Sequence, residues 1–193
     1  MVQDTRSTAS PFKRLFFALP VSDAQRRDVS QWRRSLALRS GRPVPAANFH
    51  ITLAFLGNVD AAQVPSVCAA VDQLLLPDKA PRLVLDRLQV WHKAGALVLE
   101  AQHTPAPLLQ LVYGLQQVLL PLGIAVADRT FRPHLTLSRD FHGQPPEAST
   151  PPEFFVSARE CVLYESRKGA YQPLARWALG DGGAFISPLG SHR

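Results

Sequence analysis

Two short elements of the chain carry residues able to move protons. His50 and Thr52 stand two apart in His50-Ile51-Thr52-Leu53, and His134 and Thr136 repeat the spacing in His134-Leu135-Thr136-Leu137. Residues two apart on an extended strand leave the same face, so each element presents an imidazole beside a hydroxyl. Imidazole titrates near neutral pH, so one ring can accept a proton while another donates one. Threonine hydroxyls can donate hydrogen bonds to phosphate oxygens on which negative charge builds. Two facing imidazoles suit phosphodiester hydrolysis without a metal: one activates water and the other protonates the leaving alkoxide. Six His and seven Thr in 193 residues give roughly 0.2 such pairs by chance, so two pairs, each followed by Leu, form a signal. Both stretches are otherwise apolar, and a polar side chain on such a strand needs a partner or a function.

The elements around the two motifs repeat. Leu15–Leu19 is a short apolar run that reads as a buried strand. A helix follows, started by Ser22 and Gln25 at capping-box spacing. Val29, Trp32 and Leu36 form its inward stripe, with Arg26 and Arg33 flanking the stripe and Arg27 and Arg34 nearly opposite. Gly41, Pro43 and Pro45 end it. His50–Leu56 is the next strand, and Val64 to Leu75 reads as a second helix with Pro65 in its first turn. Leu83–Trp91 and Ala96–Ala101 form a hairpin about Lys93-Ala94-Gly95. Thr104 as N-cap and Pro105 as first residue open a third helix, with Leu108, Leu111, Val112, Leu115, Val118 and Leu119 inward. Pro133–Arg139 is a strand. A proline-rich loop spans 143–152. Phe154–Glu165 and Pro173–Leu179 close the chain as a hairpin turning near Lys168-Gly169.

Strand, helix and His-x-Thr strand thus occur twice, and the hairpin Trp91 to Ala96 is echoed by Ser166 to Ala170. The expected fold is α+β: two pseudo-symmetric lobes, each an antiparallel sheet with helices on its outer face, enclosing a central cleft. A single bilobal domain over 13–179 is expected, between loose tails at 1–12 and 180–193.

Composition narrows the function classes. Hydrophobic residues make up 46% of the chain and charged residues 19%, the balance of a folded soluble domain. No run approaches the ~18 apolar residues of a membrane span, and Leu15–Val21 is followed by a helix rather than a cleavage site, so a cytoplasmic protein without a membrane partner is expected. Cys68 and Cys161 cannot build a disulfide framework or a zinc knuckle. His92, His103, His142 and His192 fall at no zinc-motif spacing, and His92 reads as a hairpin residue at the edge of a substrate path. There is no glycine-rich phosphate loop, which argues against a nucleotide-driven ligase or kinase. The net charge of +6 fits a polyanionic partner such as RNA.

With these residues in view, the chain resembles the two-histidine (2H) phosphoesterase superfamily, and within it the bacterial RNA 2′,3′-cyclic phosphodiesterases, first named 2′-5′ RNA ligases. The stretches that carry the resemblance are Arg14 to Pro20, Asn48 to Gly57, Phe131 to Arg139, and Tyr164-Glu165-Ser166 with Tyr171 to Leu174. They cover about Lys13 to Leu179. The resemblance implies hydrolysis of RNA 2′,3′-cyclic phosphate ends to 2′-phosphomonoesters with no metal and no cofactor; a monomer without an obligate protein partner is expected. It implies His50 as general acid on the leaving 3′ oxygen and His134 as general base toward water. It also implies Thr52, Thr136 and Arg139 on the phosphate and Phe55 against the terminal base. Strict strand alternation, however, sends Phe55 and Arg139 to the face opposite the histidines, leaving Arg132 as an alternative cation. The other substrates considered are a small cyclic nucleotide, an ADP-ribose cyclic phosphate and a 2′-5′ oligonucleotide. The non-enzymatic alternative is an RNA-end-binding module.

Overall fold

The computed structural model describes residues 11–126 and 130–180. In the first half, β1 (Phe12–Pro20) leads to α1 (Asp23–Ser35), the two-residue β2 (Arg42–Pro43), β3 (His50–Asp60) and α2 (Val64–Asp72). The second half follows with β4 (Arg82–Leu85), β5 (Arg87–Trp91), β6 (Ala96–Glu100), α3 (Ala106–Leu119) and β7 (His134–Arg139). Strands β8 (Phe154–Ser157), β9 (Glu160–Arg167) and β10 (Ala170–Ala178) end the described chain.

The main sheet runs β10-β9-β1-β3-β7-β6-β5 with β2 on β7, while β4 and β8 pair separately. Every pairing is antiparallel, and the α+β class with paired lobes holds. The two halves meet at Ile51 opposite Leu135, which occupy matching places in the two His-x-Thr elements. The pseudo-two-fold axis therefore passes through this pair. One residue to either side, the register sets His50 toward Thr136 and Thr52 toward His134.

Local chemistry explains the elements. The capping box forms: Gln25 N–H donates to Ser22 Oγ at 3.2 Å and Ser22 N–H to Gln25 Oε1 at 2.8 Å. The second helix stops at Asp72 rather than running on to Leu75. The third starts one residue later than expected, with Pro105 itself in the cap position at ψ 139°, because proline needs no N–H partner and holds Thr104 out of helical geometry. The stretch expected as one strand over Leu83–Trp91 divides at Asp86, whose side chain accepts from Gln102 N–H at 3.0 Å. Its two parts join different sheets. Phe154–Glu165 divides likewise, at Ala158, whose N–H bonds Pro81 O at 2.8 Å. The last strand starts at Ala170, before Pro173, because Tyr171 already pairs with Ser166; Pro173 is tolerated on this edge strand. Phe12 belongs to β1, Ala61 N–H bonds Pro11 O, and Gly180 N–H bonds Pro77 O. Residues 1–10 and 181–193 lie outside the described part.

Leu15, Phe17 and Leu19 from β1, Leu97 and Leu99 from β6, and Leu108, Leu111 and Leu115 from α3 belong to one buried cluster. Arg33, expected beside the apolar stripe of α1, turns inward instead. Its guanidinium donates to Val44 O and, at 3.0 Å, to Leu137 O, and lies 5.2 Å from the Phe49 ring centre. Burial and neighbouring Arg34 lower its pKa. Removing this guanidinium strips charged donors from two backbone carbonyls, an interaction worth about 1.5–3 kcal/mol. Arg33→Met is expected to lower stability by about that much, read as a lower urea midpoint with unchanged slope.

Candidate active site

Two one-residue irregularities build the site. Along β1 the partners step from Phe17 opposite Ala54 to Ala18 opposite Thr52, leaving Leu53 out of the count. Along β6 they step from Leu97 opposite Ser138 to Val98 opposite Thr136, leaving Leu137 out. Such a bulge inserts a residue and reverses the alternation beyond it. Leu53 and Ala54 are consequently both buried, as are Leu137 and Ser138. Phe55 then shares the face of His50 and Thr52, and Arg139 the face of His134 and Thr136. The expectation that both would point away is corrected: each strand bulges before it reaches them, at equivalent leucines in the two halves. Phe55 is opposite Phe16, and Arg139 opposite Ala96, so the two are pseudo-symmetric counterparts.

The second bulge is held from outside the strand. Leu137 O accepts from Val44 N–H at 2.9 Å as well as from Arg33. Gly41, at φ +81°, passes so close that a Cβ there would stand 2.5 Å from Ser138 Oγ and 2.9 Å from Arg139 O. Only glycine combines that backbone angle with that approach.

Both histidines are gripped in the same way. His50 Nδ1 lies 2.7 Å from Asn48 O, and His134 Nδ1 2.8 Å from Arg132 O. A carbonyl only accepts, so Nδ1 carries the proton in each ring and Nε2 is left for chemistry. His50 Nε2 lies 3.0 Å from Thr52 Oγ1, whose hydroxyl donates to the neutral ring. Asn48 also ties the β9–β10 turn to this strand through Nδ2 and Gly169 O, at 2.9 Å.

The surroundings suppress protonation. Burial is the main cause that lowers His50 to about 4; the Asn48 carbonyl opposes it, and the charges of His134 and Arg139 add to it. His134 is lowered as well, first by burial, with Arg132 O and Glu100 pulling upward and Arg132 and Arg139 downward. At neutral pH both rings are therefore uncharged in the free protein.

The side chains line two adjoining hollows. One, of about 260 Å³, is bounded by His50, Thr52, Phe55 and Arg139 together with Arg14, Phe16, Ser166, Gly169 and Tyr171. The other, of about 580 Å³, is bounded by Thr52, Phe55, Trp91, Phe131, Arg132 and His134 among others. Thr136 stands on the same strand face between His134 and Arg139 but lines neither hollow. Arg14 lies over Phe55 at 5.0 Å, and Phe16 and Tyr171 each place a ring 5.1 Å from His50. No role for Arg14, Tyr171 or Trp91 follows from sequence alone, although Arg14, Phe16 and Ala18 alternate onto one face of β1. His92, His103 and His142 are exposed and line neither hollow, and His192 lies outside the described part. Among the described residues no three His, Cys, Asp or Glu side chains gather as metal ligands. No helix among them is long and apolar enough to cross a membrane.

Comparison with known proteins identifies the family and the fold. A family model described as LigT-like phosphoesterase matches residues 19–98. The chain is 35% identical over 176 residues to an RNA 2′,3′-cyclic phosphodiesterase of Escherichia coli strain K12, covering 86% of this chain and 97% of that protein. A protein of the same name from Geobacillus stearothermophilus is 28% identical over 179 residues, 85% of this chain, which spans 56% of that longer protein. Among solved structures, the crystal structure of E. coli LigT complexed with 3′-AMP superposes with a TM-score of 0.76 at 34% identity, over 88% of this chain and 99% of that one.

Burial of His50 has a stability consequence. The folded protein resists the proton that an unfolded histidine takes at its ordinary 6.5. Because the folded value is depressed, this contribution is fully present above pH 6.5 and is lost as pH falls toward 4. His50→Gln is expected to remove most of that acid sensitivity. The urea-measured stability difference between wild type and variant should shift in the variant's favour by about 2–3 kcal/mol between pH 7 and pH 4.

Proposed function

We propose that the chain, which belongs to the LigT-like phosphoesterase family, hydrolyses RNA 2′,3′-cyclic phosphate ends to 2′-phosphomonoesters using only its own side chains. The observation that carries this reading is the convergence of two His-x-Thr elements on one cleft. Each ring there is fixed through Nδ1 to a backbone carbonyl, leaving Nε2 for chemistry.

The cyclic phosphate sits between the two strands, with Thr52 and Thr136 donating hydroxyls to its non-bridging oxygens and Arg139 adding a cationic fork. No carboxylate among the described residues pairs with Arg139. His134 Nε2 takes a proton from water as its oxygen attacks phosphorus. The bond from phosphorus to the 3′ oxygen breaks, and His50 delivers the Nε2 proton to that oxygen. A 2′-phosphate and a 3′-hydroxyl remain. With a 5′-hydroxyl in place of water as nucleophile, the same ring opening by the same groups joins a 2′-5′ linkage; its reverse closes the cyclic phosphate and releases the 5′-hydroxyl.

His50 is uncharged in the free site, so the substrate must supply the charge that protonates it. An anionic phosphate beside the ring favours imidazolium, the more so where water is excluded. Thr52 then releases His50 Nε2 and turns to the phosphate. The terminal nucleoside lies in the larger hollow, its base offered Phe55 on one side and Trp91 or Phe131 on the other. The reading extends to a soluble cytoplasmic monomer whose partner is the RNA end; gel filtration tests the oligomeric state.

With EDTA present, turnover of a short RNA ending in a 2′,3′-cyclic phosphate is expected, giving the 2′-phosphate. His50→Ala and His134→Ala should each lower kcat by about 10²–10⁴-fold, the usual worth of a positioned acid or base. Wild-type activity that disappears with EDTA, or a variant retaining full turnover, would overturn the mechanism.

The pH profile carries a second expectation. Activity falls at low pH as His134 gains a proton and at high pH as His50 loses one. Because bound phosphate raises His50, the alkaline limb of kcat should lie at higher pH than that of kcat/KM. Coincident limbs would count against substrate-assisted protonation.

A further inference from the structure

The two His-x-Thr elements match in spacing, bulge and ring anchor, yet the reaction asks opposite things of their histidines. One difference between them lies one strand away. In the first half the residue paired with His50 is Pro20, which carries no polar side chain. Around it the ring contacts are aromatic, from Phe16 and Tyr171. In the second half the residue paired with His134 is Glu100, only 3% exposed. A buried carboxylate must be hydrogen-bonded, and this one is. Trp91 Nε1 donates to Glu100 Oε1 at 2.6 Å, and Arg132 Nη2 lies 2.7 and 2.8 Å from its two oxygens.

Both partners of Glu100 also hold His134. The Trp91 ring packs 4.1 Å from the imidazole, centre to centre, and the Arg132 guanidinium lies 5.1 Å from the Trp91 ring centre. The carbonyl of Arg132 anchors His134 Nδ1. One carboxylate thus fixes the indole that packs on the ring and the residue that sets its tautomer.

We propose that Glu100 is a positioning residue that makes the two histidines unequal: through Trp91 and Arg132 it locks the His134 ring with Nε2 free, and its charge suits His134, rather than His50, to take the proton from water. The inference rests on the acid–base reading above and adds the residue that assigns the roles. The other titratable or charged groups acting on His134 among the described residues are Arg132 just before β7, Arg139 at its end and the His50 imidazole across the cleft. Among them Glu100 alone is anionic.

The test follows the imidazole Cε1–H signals of the whole chain by NMR across pH, for wild type, Glu100→Gln and Arg132→Gln. Gln can still accept from Trp91 but has no charge. Glu100→Gln is expected to lower the His134 midpoint by about one pH unit, a tenfold loss of proton affinity, and to leave His50 in place. Arg132→Gln removes the compensating cation and should move His134 the opposite way. The acid limb of kcat/KM on the cyclic phosphate should follow each shift, to lower pH in the first variant and to higher pH in the second. An unmoved His134 in Glu100→Gln, or an equal shift of both histidines, overturns the proposal. If Glu100→Gln fails to fold, Arg132→Gln decides, since its charge is half-exposed: an upward shift supports the proposal and none overturns it. Opposed His134 shifts in a protein that turns over no cyclic phosphate would support the Glu100 assignment and overturn the RNA reading, so the two failures are distinct.

Discussion

A β-strand gives a face only every second residue, and the site needs residues 50, 52 and 55 on one face of β3 and 134, 136 and 139 on one face of β7. Parity forbids this on a regular strand. The extra residue at Leu53 and at Leu137 resolves it, and much of the surrounding architecture serves those bulges. Consecutive residues become buried, so positions 53, 54, 137 and 138 carry only small or apolar side chains, Ser138 being the one hydroxyl. The carbonyl of Leu137 meets Val44 N–H and the Arg33 guanidinium. Helix α1 must therefore supply an arginine from the turn nearest β7, and the chain after it must pass close enough to require Gly41. A single ladder irregularity, made twice by one repeated unit, explains residues spread over three elements.

The same geometry sets the electrostatics. Burial withdraws water from both imidazoles, and the charge of Arg139 adds to the resistance of each to protonation. The free cleft is thus hostile to protons and hospitable to an anion. Arg14, held over Phe55, adds to that bias. A phosphate entering such a site reverses the local charge balance at the moment a proton is needed. Under the proposed reading, protonation of the acid is then coupled to occupancy instead of to bulk pH, which limits adventitious proton transfer in the empty cleft.

Much of this is legible in the sequence, and the boundary is physical. The capping box, the paired strand-helix-strand units and the two His-x-Thr faces depend on local spacing, which a sequence displays directly. Phe55 and Arg139 follow from family resemblance but are contradicted by simple alternation, because a bulge is decided by the partner strand: nothing in Thr52-Leu53-Ala54-Phe55 announces which residue β1 will skip. Arg33 is hidden for a similar reason, since its helical position flanks the apolar stripe and only the bulged carbonyl draws it inward. Glu100 had a visible signal, an acidic residue ending the apolar run Ala96-Leu97-Val98-Leu99. The reasoning that singles out a histidine on an apolar strand applies to it equally.

Duplication creates a tension that the non-repeated residues must settle. A pseudo-two-fold scaffold delivers two imidazoles with matching backbone anchors and a matching bulge, and symmetry alone would give them equal proton affinities. In-line displacement at phosphorus is directional: one side accepts a proton while the other releases one. Under the proposed reading the motifs cannot break this equivalence without losing the geometry they share, because their His and Thr side chains are assigned to the phosphate. The neighbouring strand can. Its residue beside each histidine contributes to the field at the ring without occupying the cleft, and there the two halves differ, proline in one and glutamate in the other. Under the proposed reading, the fold keeps its symmetry where atoms must be placed and gives it up where charge must be assigned.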